Sequence, residues 1–144
     1  MPDLPMHYST RYTWQGPQAQ GRLSVDGHAD LDTGSPHDND RLDPEHLLLA
    51  AAEICLANTV VAIAARSRLE LLSYSSHAEG ELEFVEKAGF RFKRIAITPR
   101  VTVAAGSEKL AQRVIDKSHD ACLVARSLVC PVDVEAVISA GQPS

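Results

Sequence analysis

The sequence predicts an α+β fold, and three observations carry that expectation. Short β-type segments fill the first thirty positions, one long apolar segment follows a helix-start signal, and a pair of longer alternating segments opens the second half. Strands, long helix, hairpin, two shorter helices and a final strand do not make the strand-helix alternation of a parallel α/β sheet. At 144 residues, with 44% hydrophobic and 23% charged side chains, the chain fits one globular domain, taken as residues 1–144.

Tyr8 to Gln15 and Gly21 to Leu31 read as strands, the second folded at the Asp26-Gly27 hairpin dipeptide. The polar run Asp32 to Arg41, with Thr33-Gly34-Ser35-Pro36 and Asp38-Asn39-Asp40, suits an exposed loop. At its end Asp43 offers an N-cap carboxylate, Pro44 takes the first helical position where its missing N–H costs nothing, and Glu45 complements the helix dipole.

The helix that starts there runs to about Ser67, roughly 24 residues or ~36 Å, which crosses a domain of this size. Its apolar residues, Leu47 to Ala52, Ile54 to Ala57 and Val60 to Ala65, are not confined to one stripe, so most of its sides call for cover. One small sheet does not supply that much surface. A second copy of the chain is the cheapest source, and a homodimer is the expectation.

Beyond it, Ser75 to Val85 and Phe90 to Val103 flank Glu86-Lys87-Ala88-Gly89 and read as a β-hairpin. Ser107 is placed to cap a helix with Leu110, Ala111, Val114 and Ile115 on one face, and Asp120 to cap a short helix reaching about Leu128. Pro131 ends that region, and Val132, Val134, Val137 and Ile138 suggest one last strand.

The net charge of -5, from 14 basic and 19 acidic residues without a basic run, offers no footprint for nucleic acid. The most apolar stretch, Ile54 to Ala65, is interrupted by Asn58 and Thr59 and falls short of the ~20 residues that cross a bilayer, so no membrane span is expected. Met1-Pro2-Asp3 does not open a secretory or transit peptide, and the protein is read as cytoplasmic. In that reducing compartment three cysteines suit transient chemistry better than a disulfide scaffold.

Cys55 sits in the middle of the long helix, where a cysteine by default packs as a small hydrophobe. Cys122 follows Asp120 at a helix start, where unpaired backbone N–H groups depress a thiol pKa, so local physics nominates it as the more reactive. Cys130 precedes Pro131 and reads as packing. No two of the six histidines have i, i+4 spacing and no close cysteine pair forms a knuckle, so neither a metal nor a cofactor is expected. A Cys-His hydrolase using His77 or His119 remains open on spacing alone.

The run Asp43-Pro44-Glu45-His46-Leu47-Leu48-Leu49-Ala50-Ala51-Ala52-Glu53-Ile54-Cys55 resembles the central motif of the OsmC-like and organic hydroperoxide resistance (Ohr) family, in which a Pro-Glu pair opens a long helix and a peroxidatic cysteine follows ten residues after the Glu. Cys122, 67 residues after Cys55 and near a short helix before the final strand, matches the family's second cysteine, and Trp14-Gln15-Gly16 matches its aromatic-x-Gly. The resemblance implies antiparallel sheets around a long central helix, an intertwined homodimer, and a thiol peroxidase acting on organic hydroperoxides. It implies that the Cys55 thiolate attacks the O–O bond, that Cys122 condenses with the resulting sulfenic acid to a disulfide, and that a dithiol, in some members a lipoylated protein, resets the pair.

A free thiol of pKa ~8.5 is already about 3% thiolate at pH 7, so lowering its pKa raises the attacking population only ~30-fold. Further acceleration needs donors or cations on the peroxide, a part played in the family by an arginine that the motif Glu holds. Glu45 fits the supporting role, but ten residues of straight helix put it ~15 Å from Cys55, which favours service to a partner chain's Cys55. The family arginine's loop, Gly16 to Gly21 here, contains none, leaving Arg11, Arg22 and Arg41 as alternatives. The chain's Cys-Pro pair is Cys130-Pro131, yet Cys122 is preferred as the resolving residue because it begins a helix. The alternative function is a non-enzymatic stress or apolar-ligand-binding dimer of the same fold.

Overall fold

The structure is a computed structural model and describes residues 4–141. It is α+β and falls into two compact units that divide between Leu48 and Leu49. In the first, β1 (Arg11–Trp14), β2 (Gly21–Ser24) and β3 (Leu31–Thr33) form an antiparallel sheet in that order, with Trp14 opposite Gly21 and Arg22 opposite Asp32. Gly16 stands at φ 62°, in the left-handed region, where its N–H and that of Gln15 donate to the Gln20 carbonyl. The segment expected as one hairpin-folded stretch, Gly21 to Leu31, is thus two short strands with a six-residue connection, turned where His28 N–H donates to the Val25 carbonyl. The polar run after it starts as β3 and then turns, with the Asp38 carboxylate accepting from Ser35 N–H at 2.8 Å.

α1 (Pro44–Arg66) begins as the sequence indicates. Asp43 is buried; its Oδ1 accepts from His46 N–H at 2.8 Å, and its Oδ2 lies 2.8 Å from His46 Nδ1. The helix is 23 residues long and holds an 18-residue window with a mean hydropathy of 2.1, a length and composition that a membrane span and the core helix of a globular protein share. The apolar stretch is thus longer than Ile54–Ala65, because Glu53, Asn58 and Thr59 do not outweigh the leucines and alanines around them. Ala52, Leu56, Val60, Ile63 and Ala64 are buried in the core of the second unit. On the opposite side Ile54 and Val61 are 59% and 57% exposed, in line with exposed Asn58 and Ala65.

β4 (Leu71–Val85) and β5 (Gly89–Ala104) form the long antiparallel hairpin of the second unit. Phe84 and Phe90 meet edge-on near its tip, 5.2 Å between ring centres. Gly80 of β4 leaves room for Leu49 of α1, since a Cβ there would lie 2.9 Å from Leu49 Cδ1 and 2.7 Å from Phe92 Cε1. Ile95, Ile97, Val101 and Val103 alternate along the buried face of β5 and share the core with Ala111, Val114 and Ile115 of α2 (Glu108–Ala121).

The remaining elements depart from expectation in three ways. Ser107 occupies the N-cap position of α2 without a side-chain cap bond, and Glu108 Oε1 instead accepts from Gly106 N–H at 2.7 Å. Asp120 does not cap a helix: α2 runs through it to Ala121, and Cys122 is the cap residue before α3 (Leu123–Ser127). The single last strand is two, β6 (Val132–Val134) and β7 (Val137–Gly141), both parallel to β5, so the sheet is mixed rather than antiparallel. Both keep one register, Ile95 opposite Val132 and Arg100 opposite Val137. Ile95 N–H donates to the Pro131 carbonyl and the Ile97 carbonyl accepts from Glu135 N–H, which sends the odd positions of β5 toward this edge. The next odd position is Pro99, which has no N–H to donate, and the ladder is interrupted there.

The His46 N–H bond, ahead of the opposing effect of burial, lowers the Asp43 pKa from its ordinary 3.8. A carboxylate so depressed contributes its stability in full above the unfolded-state pKa and loses it as the pH falls through the lower folded-state value. Asp43→Ala is expected to cost about 1 kcal/mol at neutral pH. Urea denaturation should show the gap between wild type and variant closing below pH 3.8.

Candidate functional site

In the second unit the side chains of Cys55 and Cys122 are neighbours. Cys55 lies on the flank of α1 between its buried and exposed stripes, half-buried, with its carbonyl accepting from Thr59 Oγ1 at 2.8 Å. Cys122 takes an extended backbone, φ -65° and ψ 110°, for the one residue that separates α2 from α3. That single break turns its side chain into the core, where it is 1% exposed and has the Cys55 thiol as a neighbour. Both are free thiols.

Burial pushes the Cys122 thiol up, and the neighbouring Cys55 thiol adds to the rise. The backbone N–H groups of Ala125 and Val124 pull the other way, as expected of a helix start, but burial outweighs them. The expectation that Cys122 is the more reactive thiol is therefore corrected: it is held as the neutral S–H, and Cys55 is the more exposed of the two.

Three further groups lie where α1 packs against β4. Glu53 lies two residues before Cys55 on α1, and its Oε2 accepts from Ser76 Oγ of β4 at 2.6 Å. Tyr74, the preceding position on the same face of β4, buries its hydroxyl without a hydrogen-bonding partner. Burial, then the neighbouring Glu53 carboxylate and Cys122 thiol, push the Tyr74 phenol up to about 12.

The other predicted residues lie elsewhere. Glu45, in the first turn of α1, has one carboxylate oxygen buried and unpaired, and the helix runs unbroken from it past Cys55. Arg11 is ion-paired with Asp26 and Arg22 with Asp32, whereas Arg41 donates from Nη1 to the Gly21 and Thr33 carbonyls at 3.2 Å each and has no carboxylate partner among the described residues. Cys130 lines a different groove, with Arg91, Phe92 and Pro131. His119 Nε2 lies 2.7 Å from the Val132 carbonyl and exposed His77 lies 3.2 Å from Glu79, so neither is set as a base for Cys55. No three His, Cys, Asp or Glu side chains among the described residues are grouped to hold a metal ion.

The family model for OsmC-like protein matches residues 37–137, a span that contains α1, the hairpin and both site cysteines. The chain belongs to the OsmC-like family. It is 24% identical to an uncharacterized protein of Bacillus subtilis, YmaD, over 90% of this chain and 91% of that one. Among solved structures it is similar to an OsmC-like protein of unknown function from Vibrio cholerae, with a TM-score of 0.83 and 21% identity over 92% of this chain and all of the other. It is also similar to the organic hydroperoxide resistance protein OhrB of Bacillus subtilis, with a TM-score of 0.64 and 22% identity over 91% of this chain and 98% of that one.

Within this OsmC-like site, Glu53, Ser76 and Tyr74 are absent from the sequence reading. Their signals were present: a lone carboxylate inside an apolar helix, and two hydroxyls at alternate positions of one strand. A buried, unpaired hydroxyl costs stability, and replacing it with hydrogen removes that cost. Tyr74→Phe should therefore unfold at higher urea, by about 1 kcal/mol relative to wild type.

Proposed function

We propose that this protein is a thiol peroxidase that reduces organic hydroperoxides with Cys55 and Cys122 as a dithiol pair. The observation that carries the reading is the proximity of two free cysteines 67 residues apart, one on a helix flank and one at the only non-helical residue between α2 and α3. Cys55, the less buried, attacks the peroxide O–O bond as a thiolate, releasing the alcohol and becoming a sulfenic acid. Cys122, kept protonated by burial, does not compete for peroxide and condenses with that sulfenic acid, forming the disulfide and water. An external dithiol, for which a lipoylated protein is a suitable carrier, returns two electrons, and a reducing cytoplasm is where we place the cycle. The hydroperoxide resistance named for OhrB agrees with this chemistry. A non-enzymatic ligand-binding dimer leaves the paired thiols without a purpose.

We assign Glu45 the support of a cation that orients the peroxide. Its buried, unpaired oxygen lacks a positive partner, and Arg41 is the one of the three candidate arginines not already held by a carboxylate. Because α1 is unbroken, Glu45 acts on Cys55 of the partner subunit in a homodimer. The exposed stripe through Ile54 and Val61 supports that dimer, since two large aliphatic side chains stand in water where a second copy would cover them.

Two experiments test these assignments. Non-reducing peptide mapping should find a Cys55–Cys122 bond only after an organic hydroperoxide is added and never in Cys55→Ser, while Cys122→Ser should stop after a single turnover. A Cys55 that stays reduced under excess hydroperoxide would falsify the reading. Sedimentation velocity should give twice the 15.6 kDa chain mass, and Val61→Glu should shift it to monomer.

A further inference from the structure

Two side-chain oxygens among the described residues are buried without a hydrogen-bonding partner, one on Glu45 and the other the Tyr74 hydroxyl. The mechanism above uses the first and leaves the second idle. Tyr74 sits on the face of β4 that Ser76 ties to Glu53, two residues from Cys55, and the titratable groups that bear on its phenol are Glu53 and Cys122. A donor has been buried on the face of β4 that packs against α1, the helix that carries Cys55, with nothing to donate to.

We propose that the Tyr74 hydroxyl is the hydrogen-bond donor to the oxygen that leaves the Cys55 sulfur when the two cysteines join, an inference that rests on the peroxidase reading. In the reduced protein the neighbours of this hydroxyl include a neutral thiol, which is a weak acceptor. Oxidation of Cys55 places an oxygen on the sulfur that neighbours Cys122, and that oxygen is the first strong acceptor the chemistry brings to the pair. The phenol, raised to about 12, stays protonated wherever the protein works, so it only donates.

The step balances without another reagent. The Cys122 sulfur bonds to the Cys55 sulfur, the S–O bond breaks with its electron pair leaving on oxygen, and the proton from Cys122 ends on that oxygen to give water. Tyr74 keeps its own proton throughout. Its hydrogen bond strengthens as negative charge builds on the departing oxygen, which is when a fixed donor accelerates a reaction.

The experiment compares wild type with Tyr74→Phe in rapid quench after one equivalent of an organic hydroperoxide, following Cys55 sulfenic acid as its dimedone adduct and the Cys55–Cys122 bond by peptide mapping. The variant should oxidise Cys55 at the wild-type rate, accumulate the sulfenic acid, and close the disulfide about tenfold more slowly or worse, as expected for a lost hydrogen bond to a charged group. Closure at the wild-type rate overturns the inference. So does equal slowing of both steps, which marks Tyr74 as structural. Failure of the peroxidase reading is told apart because it shows in wild type, where Cys55 would stay unoxidised, and the inference then falls with it.

Discussion

The second unit depends on the burial of one face of α1. Covering Leu56, Val60 and Ile63 contributes about 1.5–3 kcal/mol for each side chain, while the Ser76–Glu53 hydrogen bond is worth about 1 kcal/mol net. Apolar contact therefore sets where the helix lies, and the missing side chain at Gly80 of β4 leaves room for its Leu49. The hydrogen bond is too weak to hold the helix in place, but once the helix is placed it fixes the Glu53 carboxylate beside β4. Cys55 is placed by the same event, on the flank where buried surface gives way to exposed surface.

What could be read from the sequence is what neighbours in the chain decide. Asp43, Pro44 and His46 settle the start of α1 among themselves, and Glu86 to Gly89 can only turn, so both features appear where the residues put them. Cys122 was misjudged because its surroundings are not local. The helix-start N–H groups are visible in the sequence, but the burial that outweighs them comes from elements tens of residues away. The same holds for β6 and β7. Their valines announce strand, whereas the gap between them falls at Pro99, more than thirty residues upstream on the strand they pair with. The pairing of Cys55 with Cys122 came from a family resemblance, since no periodicity links positions so far apart.

Burial also assigns an order to the two thiols. A thiol in a fully covered position loses more by ionising than the Ala125 and Val124 N–H groups restore, so Cys122 stays neutral while Cys55, half-covered, meets solvent and substrate first. Were both thiols equally exposed, either could be oxidised, and the pair would lose the distinction between attacking and resolving sulfur. Their proximity then favours the second step, because the sulfur that must be attacked is a neighbour of the one that attacks it.

That arrangement moves the difficulty from encounter to proton handling. A neutral, buried thiol must lose its proton as it attacks, and the oxygen it displaces must gain one, while the Glu53 carboxylate on the same helix as Cys55 already accepts from Ser76. Charge that appears and disappears in such surroundings is expensive unless dipoles are in place beforehand. Tyr74 is a dipole of that kind, standing unpaired in the reduced state at a cost to folding. A cost with no structural return, located near the Cys122 thiol, is what distinguishes a residue kept for chemistry from one kept for packing.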